Sequence, residues 1–247
     1  FSTPALNLLK LKTFPTTADP CGLVHFGRRN ASDEHFIVSK VDYTKSDRHT
    51  LFGRYEFARL DSPTQYDGVN ILTAAGPEHN DRAQSFVLGD TFLIGTGTVS
   101  SFRGTLIRTG DIRGNQDTVT LSDIGVKGIY LPPEFSKMML LSVAGGFSIT
   151  PSGGTPAYTN STGFQFAEDL SSVRGAHQIG LGANFIHSKM NLGNDTSTPG
   201  NMAFTATNTG LGLGDFMLGK PNTFQQRSHS TYYFRQNYIG IYLQDTW

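Results

Sequence analysis

From about residue 35 onward, apolar and polar side chains alternate with a period of two over runs of roughly ten residues. That is the periodicity of half-buried strands, not of helices. The first pair of strands is predicted from His35 to Thr44 and from Thr50 to Arg59, around the turn Asp47-Arg48-His49. Ile37, Val41 and Tyr43 fall on one face of the first strand, with Lys40 and Asp42 on the other. In its partner Leu51, Tyr55 and Phe57 share a face opposite Arg54 and Glu56. A three-residue loop sets Asp42 against Arg54, Lys40 against Glu56 and Val41 against Tyr55. A slip by one residue would turn a charged face onto an apolar one, so the pattern fixes the parity of the pairing. The second pair is predicted at Gln84 to Ile94 and Val99 to Arg108, around Gly95-Thr96-Gly97-Thr98. The third runs from Gly163 to Ser171 and from His177 to Lys189, around Ser172-Val173-Arg174-Gly175. A seventh strand, Gln236 to Asp245, carries Ile239, Ile241 and Leu243 opposite Tyr238, Gly240 and Tyr242.

The connections between pairs are long: Asp61 to Ala83, Thr109 to Thr162, and Met190 to Arg235. Loops of that size are uncommon in compact soluble domains. Short turns all fall at one end of the strands and long segments at the other. With strands apolar on one side and polar on the other, this is the grammar of an antiparallel up-and-down transmembrane β-barrel, because lipid cannot satisfy an open backbone edge. The fold class expected is therefore all-β: a partial barrel wall of seven strands with short periplasmic turns and long extracellular loops. Residues 1–34 are expected to be an irregular segment leading into it, and 35–247 the partial barrel domain. A soluble β-sandwich with elaborate loops is the alternative.

Composition narrows the field. Twenty basic side chains against 20 acidic ones give no net pull toward nucleic acid, and no local basic patch appears. The single cysteine, Cys21, excludes an internal disulfide and a Cys-rich zinc site. No apolar run approaches the roughly 18 residues of a membrane-spanning helix. The chain opens on Phe1 without an initiator Met or a signal segment, and closes on Trp247 directly after an alternating run, so it is expected to be a piece of a longer protein.

The stretch VSKVDYTKSDRHTLFGRYEFARLD (Val38 to Asp61) resembles the strand, periplasmic turn and strand of Oar-like TonB-dependent receptors. FQFAEDLSSVRGAHQIGLGANF (Phe164 to Phe185) resembles a second hairpin of that family. GLGLGDFMLGKP (Gly210 to Pro221) is similar to a loop element, DIGVKGIYLPPEF (Asp123 to Phe135) to another, and YIGIYLQDTW (Tyr238 to Trp247) to a strand ending at a periplasmic turn. The matches follow family order from Phe36 to Trp247. The resemblance implies a barrel of about 22 strands around a plug. It also implies energised uptake of a bulky ligand through TonB and residence in the outer membrane of a Gram-negative-type bacterium. Neither plug nor TonB box is present in the 247 residues. The partners implied are outer-membrane lipid, the receptor's own plug domain, the TonB complex and an unidentified extracellular ligand.

Local chemistry is sparse. Gly214 to Lys220 has the spacing of a phosphate loop, but Pro221 stands where Ser or Thr would hold magnesium, and a short helix stopped by Gly219 is expected instead. His177 and His187 lie ten residues apart on one strand, about 33 Å, and cannot share a metal. Glu168 and Asp169 point to opposite faces, and no nucleophile elbow is present. No enzyme activity, cofactor or metal site is expected. Lys40, Asp42, Arg54, Glu56 and Arg103 are candidate lumen-facing residues; Val41, Tyr55, Phe57, Ile179, Leu181 and Phe185 are candidate lipid-facing ones. Tyr43, Tyr55, Phe57, Tyr232, Tyr233 and Tyr238 are candidates for aromatic girdles or for ordinary strand packing. Ligand contacts are expected within 110–162 and 191–235. A surface barrel that adheres without transporting, and the soluble sandwich as a binding module, are the competing functions.

Overall fold

A computed structural model describes residues 1–114, 117–131, 138–150, 157–195 and 197–247. Seven long strands build one sheet: β1 (Asp33–Ser46), β2 (His49–Ser62), β3 (Glu78–Ile94), β4 (Thr98–Gly114), β7 (Ala157–Arg174), β8 (His177–Asn194) and β11 (Ser230–Thr246). Their order is β1-β2-β3-β4-β7-β8-β11, with every neighbouring pair antiparallel. Each strand of the wall pairs with the next along the chain, the up-and-down topology that the alternation of turns and loops demanded. The sheet does not close; β1 and β11 each have one partner and form its two edges.

All three short turns lie at one end, as expected, but they are tighter than the sequence suggested. The chain reverses through Asp47-Arg48 alone, and the irregularity between Thr44 and Ser46 takes up Lys45 as a bulge. Lys40 therefore faces Arg54 and Asp42 faces Phe52, a shift of two residues from the expected register. A shift of two keeps every side chain on its face. Two like charges directly opposite would repel, and each is instead offset along its own strand: Lys40 Nζ lies 2.8 Å from Asp42 Oδ1, and Arg54 pairs with Glu56. The second turn has three residues, Gly95 to Gly97, since Ile94 pairs with Thr98. The third has only two, Gly175-Ala176, because Ser172, Val173 and Arg174 remain in β7. Gly175 sits at φ +61°, which glycine adopts without steric cost.

The strands run 14 to 18 residues, well beyond the expected ten, and most of the extra length is at the end away from the turns. Beyond that end the long connections fold together into a cap. It contains helices α1 (Thr3–Leu9) and α2 (Gly212–Leu218) and the 3-10 turn Ile71–Thr73. Its small sheet comprises β5 (Leu140–Val143), β6 (Ser148–Ile149), β9 (Asn201–Phe204) and β10 (Thr223–Gln225), ordered β10-β9-β5-β6. The opening segment 1–34 thus contains a helix, α1, whose Ala5 and Leu8 are buried.

The hydrophobic core lies in this cap, not in the wall. Leu8, Ile71, Leu121, Met139, Leu141, Ile149, Phe204 and Phe216 form one cluster drawn from every connection. Phe216 meets Phe147 and Phe204 edge-on, with ring centroids 5.3 and 5.5 Å away. Such T-shaped contacts add to the area each ring removes from water. In the wall, by contrast, Leu181 and Phe185 remain 44% and 38% exposed. Among the described residues no second sheet covers them, which is the packing a soluble sandwich requires.

Candidate functional site

The ladder registers sort the wall's side chains into two faces. One row runs across all seven strands as Val41, Gly53, Leu88, Gly104, Phe166, Phe185 and Ile239, with no polar side chain in it. One residue further along each strand, the opposite face presents Lys40, Arg54, Val87, Thr105, Gln165, Ile186 and Tyr238. The same face also presents Asp42, Phe52, Gly89, Arg103, Ala167, Asn184 and Gly240. The sequence-chosen residues divide cleanly. Val41, Tyr55, Phe57, Ile179, Leu181 and Phe185 share the apolar face; Lys40, Asp42, Arg54, Glu56 and Arg103 share the polar one.

The apolar belt extends along β3 from the row of Gln84, where Phe57 marks its upper edge, to Ile94. Ten residues at about 3.3 Å, tilted by about 40°, give a height of about 25 Å, the apolar band of an outer-membrane barrel. Of the girdle candidates, Tyr43, Tyr55, Phe57 and Tyr233 lie on the apolar face, whereas Tyr232 and Tyr238 lie on the polar one. The last two are not placed for an outer ring.

The polar face is hollowed. A cavity of about 600 Å³ is lined by Arg103, Gln165, Asp169, Asn184, Tyr238 and Tyr242 among others. Arg103 Nη2 donates to Asp169 Oδ2 at 2.7 Å, and Tyr242 Oη donates to the other oxygen at 2.8 Å. Asp169 therefore joins β4, β7 and β11, with β8 between the last two. That bridge is possible because β8 has Gly182 there: a Cβ would stand 2.7 Å from Asp169 Oδ1 and 2.8 Å from the Glu168 carbonyl oxygen. Glu168, on the opposite face as expected, accepts from Ser100 Oγ at 2.5 Å. His177 and His187 have separate partners, Asp245 and Asn237, at 2.7 and 2.6 Å.

The cap lies over the other end of the strands, and two carboxylates fasten its last connection. Asp215, wholly buried in α2, accepts from the backbone N–H groups of Asn208 and Thr209 and from the Thr209 hydroxyl, at 3.1, 2.8 and 2.7 Å. Burial pushes its pKa up, but these hydrogen bonds outweigh it and hold the carboxyl below its usual value. Asp195, also buried, lies 2.6 Å from His229 Nδ1, tying the start of the connection to its end. Gly219 ends α2 at φ +67°, before Pro221, so the phosphate-loop-like spacing is a capped helix. Parts of 110–162 and 191–235 build the cap; residues 115–116, 132–137, 151–156 and 196 lie outside the described residues.

One grouping escaped the sequence reading. His79 and Asp81 on β3 and Asp111 on β4 have ligand-type atoms all within 4.8 Å of one another. The H-x-D spacing of His79 and Asp81 was a visible signal, since it puts both on one face of a strand. Asp111 could join it only after the turn length at Gly95 was known.

A one-sided antiparallel wall with a 25 Å apolar belt, tight turns below and a packed cap above defines a bacterial outer-membrane barrel protein. The profile of the outer membrane beta barrel domain matches residues 1–247, and the chain belongs to that family. No curated protein and no solved structure matches it significantly. Its place is the outer membrane.

Proposed function

We propose that this chain is wall and cap of a TonB-dependent receptor of the Oar-like type, taking up a bulky ligand across the outer membrane. The observation that carries the reading is the pair of opposed rows, one wholly apolar over seven strands and one carrying Lys40, Arg54, Thr105, Gln165 and Tyr238. The apolar row meets lipid, and the polar row with the Arg103-Asp169-Tyr242 bridge faces a lumen. Seven strands leave both edges of the sheet bare, and bare edges in lipid are costly. Further strands must therefore close the barrel, and the motif likeness gives a total of about 22, a size whose lumen is filled by a plug. The charged row then has a plug to contact, and the cap supplies the outward surface to which ligand binds. The chain acts by binding and passage, without enzymatic chemistry, and its partners are lipid, plug, TonB and ligand.

Reading the encoding gene on both sides of the 247 codons tests this. A plug domain and TonB box upstream, with further alternating strands downstream, are the expected result. A gene with the strands but neither plug nor TonB box overturns the transport reading in favour of an adhesive surface barrel.

A further inference from the structure

We propose that His79, Asp81 and Asp111 form a three-ligand site for a divalent transition-metal cation of the zinc type, on the polar face at the cap end of the β3–β4 hairpin. Asp81 and Asp111 are directly opposite in the ladder, and His79 is two residues from Asp81 on the same face. Two carboxylates set against each other in a cross-strand pair repel. Elsewhere on the wall Asp169 has Arg103, and Asp61, which faces Asp33 in the ladder, has Arg59. Asp81 has no such ion pair among the described residues. Its Oδ1 is shut off from solvent with the Asp111 carboxyl set against it, the condition in which a buried polar atom calls for an ion, a water or a shared proton.

The surroundings suit a metal ligand set. Arg113, opposite His79 in the ladder, donates to Asp111 through Nη2 at 2.8 Å and Nε at 3.4 Å. That contact orients the Asp111 carboxylate, while His79 Nδ1 lies 3.9 Å from its Oδ1. With one guanidinium against two carboxylates, the cluster keeps a net negative charge that a dication would offset. One imidazole and two carboxylates are zinc-type ligands, whereas calcium takes six to eight oxygens. Ligands about 2.0–2.1 Å from a tetrahedral zinc are about 3.4 Å apart, so the side chains have to close by roughly 1 Å. Bound there, the ion would clamp β3 to β4 where the wall gives way to the cap.

The test uses the full-length gene product, purified in detergent and stripped with chelator, titrated with zinc chloride and separately with calcium chloride. One zinc per chain is expected, with affinity at least tenfold lower in His79→Gln and in Asp81→Asn and unchanged in His229→Gln. No zinc uptake, uptake unaltered in both variants, or calcium binding in place of zinc overturns the site. If the variants do not fold, X-ray absorption at the zinc edge of the wild-type protein decides. A shell with one imidazole and otherwise oxygen supports the site; sulfur or several imidazoles overturn it.

Discussion

Arg103 on β4 and Tyr242 on β11 both donate to Asp169 on β7, although β8 runs between Tyr242 and Asp169. The bridge passes over a strand because Gly182 offers no side chain beneath it. Gly182→Ala is expected to displace Tyr242 and Asp169 together, at a cost of about 1–3 kcal/mol from overpacking. Chemical denaturation in detergent measures it. Tyr242→Phe, which removes only the hydroxyl, is expected to cost less than Gly182→Ala; the reverse order would show that the glycine is not needed for the bridge.

Phe216 joins α2 to the core of the cap through Phe147 and Phe204. Phe216→Ala is expected to cost the cap about 3–5 kcal/mol, the range for large buried aromatics. Limited proteolysis of the protein in membranes should then cut the cap connections early while the wall strands stay protected. Equal protection of the cap in wild type and variant would place its core elsewhere.

Asp215 gives the cap a pH dependence. Because the folded carboxyl titrates below its unfolded value of about 3.9, its contribution is fully present above that value and is lost as pH falls through the lower, folded pKa. Wild-type cap stability should therefore decline in acid below about pH 4, whereas Asp215→Asn should start lower and show a flatter acid limb. Cap unfolding followed by hydrogen exchange between pH 3 and 7 checks both.

Much of the wall was legible because a half-buried sheet imposes a strict period of two, and the sorting of side chains into two faces held even where register did not. The expected pairing of Asp42 with Arg54 failed by two residues: nothing in the hydrophobic pattern distinguishes a three-residue loop from Asp47-Arg48 plus a bulge at Lys45. The upper strand ends were missed for a different reason. Above the belt, charged side chains fall on both faces, Arg59 on one and Asp81 and Arg113 on the other, so alternation stops while the backbone ladder continues. The His79, Asp81 and Asp111 grouping lies in that stretch. The cap core was unreadable in advance because Leu8 comes from the opening segment and Ile71, Leu141 and Phe216 from three separate connections, and only tertiary packing brings them together.

Charge tolerance should follow the faces. Leu181→Arg places a guanidinium in the middle of the apolar face and is expected to cost about 2–4 kcal/mol of folding into bilayers. Gln165→Arg on the polar face should be close to neutral. Folding yield into lipid vesicles, read by heat-modified gel mobility, compares the two; similar losses from both would mean that the faces do not differ in solvent.

The most direct measurement places single spin-labelled cysteines, in a Cys21→Ser background, at Leu181, Phe185 and Ile241 and at Thr105, Gln165 and Gln236 of the full-length gene product in membranes. The account predicts that labels on the first set relax with dissolved oxygen and are shielded from a water-soluble nickel chelate, while the second set shows the reverse. Equal chelate access on both faces, or lipid exposure of the polar one, would contradict it.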